Sequence, residues 1–298
     1  MGFGDAPSKA LTCASLGNAP LTGKRVMFTS PRQYACKLSY KLIDKGAKPV
    51  WVPGVQITSL CDPARQQVLQ EKLQSLEQYT HVAFTSRNGI QAVLDALEAP
   101  KSDGMTPEGL SSQGVCCCAL GADAELLHQA GVSNVLTPKE ASTQGLVKEL
   151  QSRGEAAGAK VLCPVPHVTG GLTEPQVVPS FLASLQAAGA EAVRVDAYET
   201  RPGSVPADCI PEQRMLAEGS IHALAFTSTA EAEGLALAVG GRDALRELLE
   251  QGRPLLAAHG PYTAAGVSAF LGMDVSVVSQ NFQSFDGLVE ALVGALNS

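Results

Sequence analysis

Short apolar runs alternate along this chain with longer stretches whose apolar positions recur every three or four residues. Arg25-Val-Met-Phe-Thr29 reads as a short buried strand, residues 34–45 as a helix stopped by Gly46, and residues 49–52 and 81–84 as two further strands. Ile90, Val93, Leu94 and Leu97 share one helical face. Residues 115–120 predict a strand, 124–130 a helix stopped by Gly131, and 146–150 the middle of another helix. The second half returns to the same vocabulary. It has a strand at 160–163, a helix at 180–188 stopped by Gly189, strands at 192–196, 223–226 and 255–258, and a helix at 287–296. Strands with no polar face, alternating with amphipathic helices, predict an α/β architecture of parallel sheets covered by helices on both sides.

The two halves also share segments. His81-Val-Ala-Phe-Thr-Ser86 returns as Ala223-Leu-Ala-Phe-Thr-Ser228, Gly145-Leu-Val-Lys-Glu-Leu150 as Gly287-Leu-Val-Glu-Ala-Leu292, and Gly46-Ala47 as Gly189-Ala190. The interval is nearly the same each time and close to half of the 298 residues. A unit this long is not a solenoid repeat, so two similar domains are expected.

Composition narrows the function classes. Hydrophobic residues make up 45% of the chain, enough for two cores, which sets aside disorder. The longest unbroken apolar run is 115–120, far below the ~18–20 residues of a membrane span, so no transmembrane segment is expected. A net charge of −7 argues against nucleic-acid binding, which needs a basic face, yet leaves room for an anionic small molecule in a locally positive cleft. The eight cysteines, Cys13 among them, form no C-x-x-C and have no His at zinc-ligand spacing. A reducing compartment is the simplest reading. No secretory signal is read at the N-terminus, Gly2 with Ala6 does not fit the myristoylation pattern, and residues 6–20 read as a transit-peptide remnant or a frayed end.

Hydroxyl residues gather where strands hand over to helices. They are Thr29-Ser30-Pro31, Thr85-Ser86-Arg87-Asn88, Thr227-Ser228-Thr229 and Gly260-Pro261-Tyr262-Thr263, with Gly121-Ala122-Asp123 as a glycine turn of the same kind. Ser142-Thr143 and Ser284-Phe285-Asp286 open the later helices. Each is expected to cap its helix. Such turns also sit where open α/β sheets bind ligands, and helix N-termini there suit carboxylates and phosphates. Several facing each other across two domains would hold a polyanion with few Lys or Arg. No Walker, Gly-x-Gly-x-x-Gly, Gly-x-Ser-x-Gly or HExxH motif is present. His81 and His222 read as structural, whereas His259 is placed to face a cleft. Cys116-Cys117-Cys118 reads as a buried strand. Tyr198, in Val195-Asp-Ala-Tyr-Glu-Thr-Arg-Pro202, is either an aromatic plug at a domain joint or a phenol able to donate a proton.

These residues resemble the uroporphyrinogen-III synthase family from about Lys24 to Leu296. The likeness is carried by Phe84-Thr-Ser-Arg-Asn-Gly89, Leu120-Gly-Ala-Asp123, Ala141-Ser-Thr-Gln-Gly145, Ala197-Tyr-Glu-Thr-Arg-Pro202, Phe226-Thr-Ser228 and Gly260-Pro-Tyr-Thr-Ala264. The resemblance implies two flavodoxin-like, doubly wound parallel-sheet domains joined by a two-stranded connector, with the chain crossing twice. Residues 1–55 with 201–298 would form one domain and 56–200 the other, and 25–29 would pair with 223–226 rather than with 82–84. It implies cyclisation of hydroxymethylbilane with inversion of ring D and loss of water, without metal or organic cofactor. Tyr198 would assist the leaving group. Thr85, Ser86, Ser228 and Thr263, with Tyr262, Ser142 and Ser284, would bind the polycarboxylate tetrapyrrole. A monomer in the chloroplast stroma, or otherwise the cytoplasm, is expected.

Three features depart from the family. Ala124 stands where Thr is frequent, Tyr262 where a smaller residue is common, and Cys163-Pro-Val-Pro-His-Val-Thr-Gly-Gly171 reads as a long, proline-rich loop. They keep a second reading open, a non-catalytic homologue that binds a tetrapyrrole or a protein partner. A third, an unrelated two-lobed binding protein for small anions, follows from the fold class alone.

Overall fold

The computed structural model describes residues 19–98, 106–107, 109–112, 114–281 and 284–298; the readings made on Gly2, Ala6 and Cys13 lie outside them. In chain order the elements are β1 (Arg25–Phe28), α1 (Arg32–Asp44), β2 (Lys48–Trp51), β3 (Val55–Ser59), α2 (Pro63–Gln74), β4 (His81–Ala83), α3 (Arg87–Glu98) and the one-turn α4 (Gly109–Ser112). There follow β5 (Cys116–Cys118), α5 (Ala124–Gln129), β6 (Val135–Leu136), α6 (Thr143–Ser152), β7 (Lys160–Val168), α7 (Val177–Ala187) and β8 (Glu191–Pro202). The last are α8 (Ile210–Ala217), β9 (Ala223–Phe226), α9 (Thr229–Ala238), α10 (Arg242–Gly252), β10 (Leu255–Ala258), α11 (Pro261–Leu271), β11 (Val277–Val278) and α12 (Phe285–Leu296). Among the described residues no helix is long and apolar enough to cross a membrane.

Among the described residues two compact units result, 19–56 with 202–298 and 57–201. The first holds a five-stranded parallel sheet ordered β11-β10-β9-β1-β2. β1 pairs with β9 in register Val26 to Ala223 and Phe28 to Ala225, as expected, and not with β4. The sheet of the second unit is ordered β3-β8-β7-β4-β5-β6. β4 there holds the place that β9 holds in the first, which explains why the two Ala-Phe-Thr-Ser segments match. The units differ in chain order. In the first, the two-strand half (β1, β2) precedes the three-strand half; in the second, β7 and β8 follow β4, β5 and β6.

Burial on both faces accounts for the unbroken apolar strands. Met27, Leu224 and Phe226 enter one core of the first unit, and Val26, Phe28, Ala223 and Ala225 the other. In the second unit Val82, Phe84, Cys117 and Leu162 pack on one side, and Ala83, Cys118, Val161 and Cys163 on the other. Adjacent cysteines 117 and 118 thus point to opposite cores, the behaviour of small apolar residues in a central strand.

Two expectations change. Residues 163–168 are not loop: β7 runs on to Val168 and pairs with β8 throughout, with a register shift between Val165 and Pro166. Prolines are tolerated because β4 stops pairing at Leu162, so one side of this segment needs no ladder donor. β8 likewise extends to Pro202, which puts Tyr198 inside a strand instead of at a turn.

The crossing chain is anchored on α9. The Gly54 N–H donates to the Thr29 carbonyl (2.9 Å), and Gly203 donates to the Gly54 carbonyl (2.9 Å). A Cβ on Gly54 would lie 2.3 Å from the Glu231 carbonyl oxygen, and one on Gly234 only 1.8 Å from that of Gly54. Gly234→Ala is therefore expected to destabilise the protein by at least about 3 kcal/mol in urea unfolding, since backbone would have to move. Gly294→Ala, in α12 with nothing within 4 Å of the added carbon, should instead stabilise by about 0.5–1 kcal/mol.

Candidate functional site

The expected hydroxyl positions fall into four local settings. In the second unit, β4 ends at Ala83 and the chain turns through Thr85 and Ser86 into α3. Ser86 Oγ accepts the Gly89 N–H at 3.2 Å, which caps the helix, and lies 3.1 Å from the Tyr198 phenol oxygen. Tyr198 is opposite Pro166 on β7, and the residue is 7% exposed in the core that holds Phe84 and Ile90. The ring is an apolar plug, and the phenol oxygen meets a hydroxyl at a strand-to-helix turn. Thr85 stands half-buried beside the pair. Arg87, the first residue of α3, lies 4.0 Å from Asp123. Ala124 is buried in the same core as Tyr198.

Ser142 caps α6 by accepting the Gly145 N–H at 2.9 Å, but its own proton goes to Glu140 Oε1 at 2.7 Å. That hydrogen bond, with Lys148 nearby, holds the Glu140 carboxyl below its ordinary range. Ser284 is similar on α12: it accepts the Asp286 N–H at 3.3 Å and donates to Asp286 Oδ2 at 2.9 Å. Asp286 also pairs with Lys41, which is the larger cause of its lowered pKa. No hydrogen bond among the described residues joins Ser142 to the Ser86–Tyr198 pair.

The first unit adds a residue that the sequence reading passed over. Ser228 occupies the cap position of α9, yet its side chain makes no capping bond and donates to Glu231 Oε1 at 3.3 Å. Glu231 Oε2 accepts the Thr227 N–H at 2.8 Å and the Thr29 hydroxyl at 2.9 Å, and the Thr227 hydroxyl donates to Oε1. The carboxyl is 1% exposed and has no ion pair among the described residues. Burial pushes its pKa up, and the Thr227, Thr29 and Ser228 hydrogen bonds oppose that shift. Thr263, in the first turn of α11, donates to the Thr227 carbonyl at 3.4 Å and so adjoins the same turn. Tyr262 is 90% exposed. A signal for Glu231 was present: Ser228 followed three residues later by Glu is the capping-box pattern. Its carboxyl takes the N–H of Thr227, one residue before the position that pattern predicts.

The histidines and cysteines do little here. His259 packs edge-on to Phe285, ring centroids 5.3 Å apart. His222 Nδ1 accepts the Arg25 N–H, and His81 is buried against Thr80 and Glu155, so both are structural as expected. The described cysteines are free thiols; burial pushes Cys117 and Cys163 up to about 12. Among the described residues no group of three or more His, Cys, Asp or Glu is placed to hold a metal ion.

Comparison with known structures shows the fold class. A mutant uroporphyrinogen III synthase from the extremely thermophilic bacterium Thermus thermophilus matches with a TM-score of 0.59 at 20% identity, over 91% of this chain and 97% of that one. The family model for uroporphyrinogen-III synthase HemD matches residues 36–290, and the chain belongs to that family. It is 26% identical over 263 residues to the uroporphyrinogen-III synthase of Chlorobaculum parvum, covering 87% of this chain and 94% of that protein. It is also 25% identical over 124 residues to the porphyrin biosynthesis protein HemD of Ruminiclostridium josui, of which the match spans 22%.

Glu231 makes a prediction on pH. Its folded pKa lies above the unfolded value near 4.5, so its contribution to stability is fully present below that pH. The contribution is lost as pH rises through the folded pKa. The melting temperature of Glu231→Gln relative to wild type should therefore rise from acid toward neutral pH, as calorimetry at several pH values would show.

Proposed function

We propose that this protein is a uroporphyrinogen-III synthase in tetrapyrrole biosynthesis, closing hydroxymethylbilane with inversion of ring D and loss of water, without a cofactor. Family membership supports the class of reaction. The observation that carries the residue assignment is the contact between the buried Tyr198 phenol and Ser86. Ser86 is held by the Gly89 N–H, so the phenol meets a fixed partner. In this reading Tyr198 gives its proton to the departing hydroxyl, which leaves as water and creates an azafulvene. The far end of the chain attacks through its substituted carbon, and the spiro-pyrrolenine rearranges and closes. Proton loss from the closing pyrrole restores the phenol. Thr85 and Thr263 contact substrate carboxylates through hydroxyl or backbone donors, with Ser86, Ser142, Tyr262 and Ser284 contributing backbone N–H groups of their turns, while Ser228 stays engaged with Glu231. The protein works as a monomer in the chloroplast stroma or otherwise the cytoplasm.

A second reading, a non-catalytic homologue that binds a tetrapyrrole or a protein partner, draws on the carboxyls of Glu140, Glu231 and Asp286. Each engages the hydroxyl of one expected substrate-binding turn. Acidic groups at these turns oppose a polyanion by charge. End-point conversion of fresh hydroxymethylbilane, with isomers resolved by chromatography, separates the two readings. Type III product supports the synthase, and type I product alone supports the homologue. Under the synthase reading, Tyr198→Phe should lower kcat by about 100-fold, the low end of general-acid effects, because water also assists the departing hydroxyl. The melting temperature should change little, since the ring that fills the core is kept.

A further inference from the structure

The turn after β9 has the donors of an anion site and already holds a carboxyl of its own. The Thr227 N–H and the hydroxyls of Thr29, Thr227 and Ser228 all converge on Glu231. Oε1 and Oε2 each receive two of these donors, and the residue is 1% exposed, so no surface of the carboxyl is left for solvent. Neutral donors alone answer it, as they answer a ligand carboxylate at a helix N-terminus. The corresponding turn after β4 shares the Phe-Thr-Ser but carries no acid at the equivalent position. Gly89 stands three residues after Ser86, as Glu231 stands three after Ser228. A Cβ on Gly89 would already lie 3.3 Å from the Pro164 carbonyl oxygen, so a side chain there would press on its neighbours. Ser86 is met by a phenol instead of a carboxyl.

We propose that Glu231 is a built-in ligand of the Thr29–Thr227–Ser228 turn, a specificity-determining residue that closes this turn to external carboxylates and leaves the Ser86 turn without such a plug. This rests on the reading that the ligand is a polycarboxylate only for its biological meaning; the occupancy itself is a property of the folded chain. The consequence is an asymmetry between two turns of common pattern. Substrate carboxylates use the Ser86 side, and the hydroxyl of Ser228 takes part in the fold, not in binding.

Removing the internal carboxyl should create a small-carboxylate site. The test measures the melting temperatures of full-length wild type, Glu231→Gln and Glu231→Ala against sodium formate, with sodium chloride at matched ionic strength as control. Glu231→Ala should melt lower than wild type and regain about 3–6 °C saturably with formate at roughly ten times its Kd. Glu231→Ala should gain more from formate than wild type and Glu231→Gln do, because the Ser86 turn, without a plug in all three, answers formate alike. A Glu231→Ala protein that gains nothing beyond the wild-type response, or a saturable formate shift of the Thr227 amide resonance in wild type, overturns the proposal. Should Glu231→Ala fail to fold even with formate, the Thr227 amide resonance of 15N-labelled wild type and Glu231→Gln decides. An unmoved resonance through the titration supports a closed turn, and a saturable shift overturns it. Neither arm contains a tetrapyrrole, so loss of this proposal and failure to form type III uroporphyrinogen are separate results.

Discussion

The backbone contact between Gly54 and Gly234 governs much of the rest. Strand β3 leaves the first unit and β8 returns to it; Gly54 on the first passage packs against α9, and Gly203 on the second is hydrogen-bonded to Gly54. An L side chain at Gly54 or Gly234 would occupy space that backbone atoms fill. The same close approach sets Thr29 over α9, because the Thr29 carbonyl receives the Gly54 N–H while its hydroxyl reaches Glu231. The crossing and the buried carboxyl are therefore parts of one packing arrangement, joined through Thr29 and the first turn of α9.

That arrangement bears on how a duplicated fold diverges. Both units keep a strand ending in Ala-Phe-Thr-Ser and a helix opening directly after it. In the second unit the turn is lined by a serine, a buried phenol and a glycine. In the first the same frame encloses a buried carboxyl that has no ion pair among the described residues. A buried carboxyl is tolerable only where several donors converge on it, and the three hydroxyls and the N–H at this turn meet that need. The hydroxyl-rich turns that suggest anion binding can thus be satisfied from within the chain. Ser142 with Glu140 and Ser284 with Asp286 show the same principle at exposed positions, where solvent makes it energetically slight.

For the chemistry, the division of Tyr198 into a buried ring and a hydrogen-bonded oxygen matters most. Packing among Phe84 and Ile90 limits the ring's motion, and Ser86 orients the oxygen. Under the proposed synthase reading, a proton donor held in this way needs little reorganisation when it acts. Ala124 bears on this arrangement indirectly: its methyl belongs to the same core and contributes packing there.

The sequence alone determined the α/β class, the duplication, the principal strands and the family. Those signals are local or periodic: apolar runs such as 25–28 and 223–226, helix stops at Gly46 and Gly189, and hydroxyls at the turns. Two-residue strands β6 and β11 escaped because they carry no period, and α2, largely polar apart from Leu69 and Leu73, showed no apolar face. The extensions of β7 and β8 were hidden by prolines, which signal loops unless an unpaired strand side is known. Tertiary structure decided the site. Whether Ser228 caps, binds or feeds a carboxyl depends on where Thr29, almost two hundred residues earlier, is brought by the pairing of β1 with β9. Hydrogen bonds between residues so far apart leave no trace in local pattern, because the fold alone sets the distance between them.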